Sequence, residues 1–340
     1  MRKVKISNFY FFLIIILVSS IGASRNLMFH GDTPRYAYLF KYAVQNSEYP
    51  YWEEPLFAIL VLIVANFTSS VRFYFGIIVF LVLILNFIII RHLIELTTTK
   101  HNISQRSQIL VALSCVVMSG WFYAGSVNGI KQYISILVLT LGVFYFWSRR
   151  NILGTALLIA APLFHVSSIL FLPILLFKNR SAQFTTCVFV LFALGYPLGI
   201  NELLLKTLSD LLVVFGIPDI YNLLISYNDN DQSFRGFVPK FFVYTVFHFI
   251  ILLFCYIFSD KQNKSLLYLM RIYAGFGVIY FIFGVGAWTN RLAFPSWSMI
   301  PFVYSILYFK ISDDFKLLPR ITLPLLPLGA IIVYSWSIYI

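Results

Sequence analysis

Six ionisable residues stand beside long apolar runs, where a charge is costly unless it is paired or used: Arg25, Asp32, Glu54, Lys131, His165 and Arg291. Their types suit one chemistry. A carboxylate or a histidine can take a proton from a hydroxyl, and cations can hold an anionic leaving group while charge grows on it. Glycosyl transfer from a lipid-linked diphosphate donor requires both. Asp32, Glu54 and His165 are therefore candidate catalytic groups, and Arg25, Lys131 and Arg291 candidate anion-binding groups.

Each residue also has a plainer reading that stands beside the chemical one. Asp32 precedes Thr33-Pro34, a helix-start pattern in which it can serve as the N-cap. Glu53 and Glu54 precede Pro55 and an apolar run, so both can be solvated charges favoured by a helix dipole. Of the two, Glu54 lies closer to the run, where burial could tune its proton affinity. Lys131 follows Asn128-Gly129-Ile130 at a helix start, where a cation is disfavoured unless an anion is also there; a snorkelling lysine is the alternative. His165 interrupts an apolar stretch, either as a packed histidine or as a functional one. Arg291 follows Gly284–Asn290, and its planar fork can hold a phosphate or cap neighbouring helix ends. Arg271 lies deep in its run, to pair with a carboxylate or to snorkel.

The elements that must carry these residues are membrane helices. Of the 340 residues 60% are hydrophobic, 19% aromatic and 11% charged, whereas a soluble domain carries about 25% charged residues. That composition excludes an ordinary soluble enzyme, a disordered chain and a nucleic-acid-binding module. The formal charge of +12 points to anionic lipid head groups and to the positive-inside bias. Cys115, Cys187 and Cys255 all lie in apolar runs, so neither a disulfide framework nor a metal centre is indicated, and no cofactor is expected.

Apolar runs occupy about 6–23, 55–68, 72–90, 107–123, 130–147, 152–177, 182–200, 238–258, 265–286, 292–309 and 321–340. The fold class is therefore all-α: a single polytopic membrane bundle over 1–340, with about 9–11 transmembrane helices and its N-terminus in the cytoplasm. Two runs are irregular. Residues 55–67 are too short to span and suit a re-entrant or interfacial segment. Residues 152–177 contain Pro162, His165, Ser167, Ser168 and Pro173, and form one tilted helix or two short ones. Letting 55–68 dip and 152–177 break puts Arg91, Lys100, Arg106, Arg149, Arg150, Lys178, Arg180, Lys261, Lys264, Lys310, Lys316 and Arg320 all in the cytoplasm.

Outside remain 24–54, the 124–131 turn and a loop at 201–237. In the first, Tyr36, Leu39, Phe40, Ala43 and Val44 share a helical face, which predicts an amphipathic surface helix. The aromatics and carboxylates of Tyr49–Pro55 form an interfacial belt or a sugar-binding lip. The second large loop has an amphipathic stretch from Glu202 to Val214 and a polar tip at Tyr227–Arg235, which lacks the glycine and distal glutamate of an EF-hand. It reads as a polar lid, or as a loop that helps bind a polar polymer.

The ordered set Asp32-x-x-x-Tyr36, Glu54-Pro55-Leu56-Phe57, Asn128-Gly129-Ile130-Lys131-Gln132, Phe164-His165-Val166-Ser167-Ser168 and Asn290-Arg291 resembles the EpsG family of bacterial polysaccharide polymerases, which includes O-antigen polymerases of the Wzy type. The resemblance runs from about residue 20 to 310. It implies an inner-membrane glycosyltransferase that joins oligosaccharide repeat units carried on undecaprenyl diphosphate at the periplasmic face, with membrane lipids and a chain-length regulator as partners. Asp32, Glu54, Lys131, Gln132, His165 and Arg291 carry over, with Tyr36 in the first motif; the family pattern has arginine where this chain has Lys131. Which carboxylate is the base stays open. A flippase for the lipid-linked unit, or a ligase or acyltransferase, would use a similar helical chassis.

Overall fold

The computed structural model describes residues 8–27, 31–96, 104–214, 216, 218–219, 221–222, 237–259, 264–286, 289–314 and 318–339. The polar tip at 227–235, together with Lys100, Lys261 and Lys316, lies outside them. All regular structure among the described residues is helical, and the chain is a polytopic membrane helical bundle. In chain order the elements are α1 (Asn8–Ala23), α2 (Thr33–Asn46), α3 (Pro55–Phe67), α4 (Val71–Leu96), α5 (Gln105–Met118), α6 (Gly120–Val127), α7 (Ile130–Trp147) and α8 (Asn151–Phe164). A 3-10 helix (Val166–Phe177) follows, then α9 (Ala182–Gly195), α10 (Ile200–Val214), α11 (Pro239–Ile257), α12 (Lys264–Phe283), α13 (Thr289–Trp297), α14 (Ile300–Asp314) and α15 (Leu318–Tyr339).

Among the described residues five stretches are long and apolar enough to cross a bilayer: α4, α7, α11, α12 and Thr289–Phe309. Two bent pairs raise the number to seven among those residues, and α3, α8 and the 3-10 helix are shorter apolar helices. Each expected apolar run corresponds to helix, and turns divide several of them. Between α5 and α6 the chain bends by 68° at Ser119, whose hydroxyl accepts the Trp121 amide at 3.1 Å and so starts a new helix. A 92° bend separates α9 from α10 around Pro197 and Gly199, the latter with a φ of 71°.

The two irregular runs fold as irregularly as expected. At thirteen residues α3 is about 20 Å long, short of a hydrocarbon core of about 30 Å. It ends where Thr68 turns extended ahead of α4. Residues 151–177 break at His165, whose φ of −160° and ψ of 117° separate α8 from the 3-10 helix. Pro162 supplies no amide to the turn just before the break, which weakens α8 there.

The chain groups into two compact units, Met1–Ile169 with Pro301–Ile340, and Leu170–Ile300. Within the first, α4 packs on α1, α5 and α7, while α15 packs on α1 and α5. A short turn joins α7 to α8, and the pair approach closely: a Cβ on Gly154 would lie 2.5 Å from the Phe146 nitrogen. The amphipathic α2 lies on α3 and α4 and buries Tyr36, Leu39, Phe40 and Ala43 of the expected face, with Ala37 buried beside them and Val44 half-buried. Within the second unit α12 is central, contacting α9, α10, α11 and α13. Polar ties fix it: Tyr273 donates to the Thr245 carbonyl at 2.9 Å, and Asn201 to the Phe281 carbonyl at 3.2 Å. Arg271 is bound to main chain and forms no ion pair with a carboxylate among the described residues. Its guanidinium donates to the Arg180 carbonyl, with Nε at 2.8 Å.

Candidate active site

Glu54 is the hub of a cluster built from three elements of the first unit. It precedes Pro55, which restrains its backbone to a non-helical conformation (φ −126°, ψ 73°), and its side chain makes no capping bond to α3. The carboxylate instead reaches across to α7 and to the break after α8. Lys131 Nζ donates to Oε2 at 2.5 Å, and His165 Nδ1 bonds Oε1. The three side chains are 11%, 15% and 26% exposed, so the cluster is largely but not wholly withdrawn from solvent.

The electrostatics follow from this packing. Burial pushes the Glu54 carboxyl up, but hydrogen bonds from His165 and Lys131, and then their charges, outweigh it and hold the carboxyl below its ordinary value. Glu54 is therefore an ionised, twice-engaged acceptor and a poor proton acceptor in its own right. An ionised carboxylate can only accept, so Nδ1 of His165 carries its proton. When the ring is neutral, Nε2 is then its basic nitrogen, as in other carboxylate–histidine pairs.

Each element has a local reason to present its residue. The cluster sits on an aromatic floor: Lys131 Nζ lies 5.3 Å from the Phe57 ring centroid, and Tyr36 and Tyr49 pack against the same ring at 5.9 and 6.3 Å. Burial pushes the Tyr36 hydroxyl up, and the nearby backbone of Lys131 at the start of α7 partly offsets that rise. Ser135, one turn beyond Lys131 on the same face of α7, donates to the Ala161 carbonyl at 2.7 Å and lies 3.5 Å from the His165 carbonyl. One face of α7 thus holds the carboxylate through Lys131 and the broken helix through Ser135.

Of the residues singled out by sequence, Glu54, Lys131 and His165 meet directly, and Tyr36 supports them. Arg25 and Asp32 take other places in the same unit. Arg25, expected to bind substrate, is 2% exposed. Its Nε donates to the Gly22 carbonyl at 2.7 Å, its Nη1 to the Ser126 carbonyl at 3.1 Å, and it stacks 4.3 Å from the Phe75 centroid. It serves two helix C-terminal ends and is not a surface cation. Asp32 occupies the N-cap position of α2, as the plainer reading has it, though without a side-chain capping bond to the helix, and its charge acts on Tyr36. Gly31 beside it has a φ of 85°, and a Cβ there would lie 2.2 Å from Asn128 Oδ1, so this turn requires glycine. Gln132 is buried on α7, and Arg291 is exposed in the first turn of α13, in the second unit.

Sequence reasoning missed Tyr49, Phe57 and Ser135 as parts of this site. Phe57 and Tyr49 lie inside segments already singled out, and Ser135 is four residues after Lys131, the spacing of one helical face. Neither the curated proteins nor the solved structures include a match to the chain. The family model described as the EpsG family matches residues 9–339, nearly the whole length. The chain therefore belongs to the EpsG family, a membership that suggests a function of the polysaccharide-polymerase type.

Proposed function

We propose that this chain polymerises lipid-linked oligosaccharide repeat units of an O-antigen or related surface polysaccharide, acting as a glycosyltransferase at the periplasmic face of the bacterial inner membrane. The growing chain leaves its undecaprenyl diphosphate carrier for the terminal sugar of a new unit. The observation that carries this reading is the Glu54–Lys131–His165 cluster, a buried carboxylate–histidine pair with a cation beside it. His165 Nε2 removes the proton from the acceptor hydroxyl, and Glu54 orients the ring and stabilises the imidazolium that forms. The hydroxyl oxygen attacks the anomeric carbon of the donor, the bond from that carbon to the phosphate oxygen breaks, and the electron pair leaves with the diphosphate. Lys131 has further N–H donors beyond the one given to Glu54 and supplies positive charge for the leaving group. A chain-length regulator is the expected protein partner.

Cells in which the gene is replaced by His165→Ala or Glu54→Gln, at normal protein level, should accumulate single-unit lipid-linked saccharide and lose the ladder of longer chains. The limiting rate should fall by about a hundredfold or more for loss of the base. Full ladders from both variants would show that this cluster does not carry the reaction.

A further inference from the structure

The segment between α2 and α3 leaves two aromatic rings exposed. Tyr49 is 2% exposed and is held edge-on against Phe57, whereas Tyr51 and Trp52 are 48% and 56% exposed. Pro50 and Pro55 bracket the segment, fixing their own φ and favouring extended backbone at the residues before them. The Arg35 guanidinium of α2 lies 5.9 Å from the Tyr51 ring centroid and steadies one ring face. The adjacent Glu53 is exposed. Trp52 is two residues from Glu54, so their Cα atoms are at most about 7 Å apart. The backbone that carries the rings therefore runs directly into the residue at the hub of the buried cluster.

An interfacial belt accounts for the exposure of the rings but not for the pair of carboxylates directly beside them. Here the neighbours in sequence are Pro50, Glu53 and Glu54, and the neighbour in space is Arg35, a setting for a ligand that is apolar on one side and hydroxylated at its rim. A pyranose has both: its C–H face lies on an aromatic ring, and its hydroxyls donate to a carboxylate such as Glu53. Two proline brackets and a buried tyrosine pre-organise the platform, which lowers the ordering cost of binding a weakly held sugar.

We propose that Tyr51 and Trp52, with Glu53 at their edge, form the subsite for the terminal pyranose of the acceptor unit, delivering its hydroxyl to the Glu54–His165 pair. This rests on the polymerase reading and adds to it the place and chemical class of the acceptor contact. Arg35 is a positioning residue for the Tyr51 ring.

The test measures elongation in membranes containing the protein, supplied with the single-unit lipid-linked saccharide extracted from cells that lack it. Trp52→Ala should raise the half-saturating concentration about tenfold while the limiting rate stays within about threefold. Trp52→Leu, which preserves membrane affinity but not the stacking face, should behave as alanine does, and Trp52→Tyr should recover part of the loss. A Trp52→Leu protein with wild-type concentration dependence overturns the subsite and leaves the belt. Should the wild-type protein elongate nothing, the polymerase reading fails by itself. The platform is then judged by binding of the same saccharide, freed of lipid, as quenching of tryptophan fluorescence: quenching abolished by Trp52→Phe sustains it, and unaltered or absent quenching overturns it.

Discussion

At the scale of single residues, Glu54 decides the character of the site. A lysine in the first turn of a helix opposes the dipole and calls for an anion nearby, and Lys131 finds that anion in its own chain. The same carboxylate fixes the tautomer of His165, so three residues far apart in sequence act as one electrostatic unit. The pH consequence has a definite sign. Burial raises the Glu54 carboxyl, the bonds and charges of His165 and Lys131 lower it further, and the folded value lies below the ordinary 4.5. The stabilisation is thus fully present above the unfolded value and is lost as pH falls through the lower folded value. Thermal unfolding of the detergent-purified protein should show wild type above Glu54→Gln at neutral pH, on the order of a few degrees, with the gap closing in acid below the unfolded value. Parallel curves across that range would mean that the carboxylate is not held as its geometry indicates. Arg25 illustrates what sequence could not disclose at this scale: its partners are main-chain carbonyls, which no residue pattern marks.

Helices and their interruptions position that unit. The short α3 was legible because Glu54 and the polar Thr68-Ser69-Ser70 bound its apolar run, and the break at His165 because Pro162 and adjacent polar residues interrupt theirs. The surface helix α2 was legible from its one apolar face. The bends at Ser119 and around Gly199 were not, since one serine or glycine within an apolar run does not distinguish a straight helix from a broken one. Ser135 matters most among the residues hidden at this level. Its hydroxyl takes a carbonyl of the last turn of α8, one turn below Lys131, and so sets the height of His165 against Glu54. Ser135→Ala should cost about 0.5–1.5 kcal/mol of stability, because Ala161 keeps the His165 amide as a donor, yet should lower the limiting rate with little change in half-saturating concentration. Ser135→Thr keeps a hydroxyl and should restore much of the rate. Equal activity in the alanine variant would mean that the break holds His165 without help from α7.

For the molecule as a whole, sidedness determines whether the cluster can meet a saccharide that has already been flipped. One helix, α7, relates the cluster to a side of the membrane. That helix is continuous over eighteen residues, about 27 Å, with Lys131 in its first turn and Arg149-Arg150 just past its end. Lys131 and the arginine pair therefore lie at opposite ends of one span-length rod. On the proposed reading the arginine pair is cytoplasmic, as the positive-inside bias favours, and the Glu54–Lys131–His165 end is periplasmic. On that reading much of the +12 net charge reflects orientation. Single cysteines decide it, introduced after Cys115, Cys187 and Cys255 are changed to serine. A cysteine at Glu48, exposed just after α2 on the segment leading to Glu54, should react with a membrane-impermeant maleimide in intact spheroplasts. One at Asn151, exposed beside Arg150, should react only after the membrane is opened. The reverse pattern would put the cluster in the cytoplasm, before any flipping step, and the polymerase reading would fall even if every variant of Glu54 and His165 were inactive.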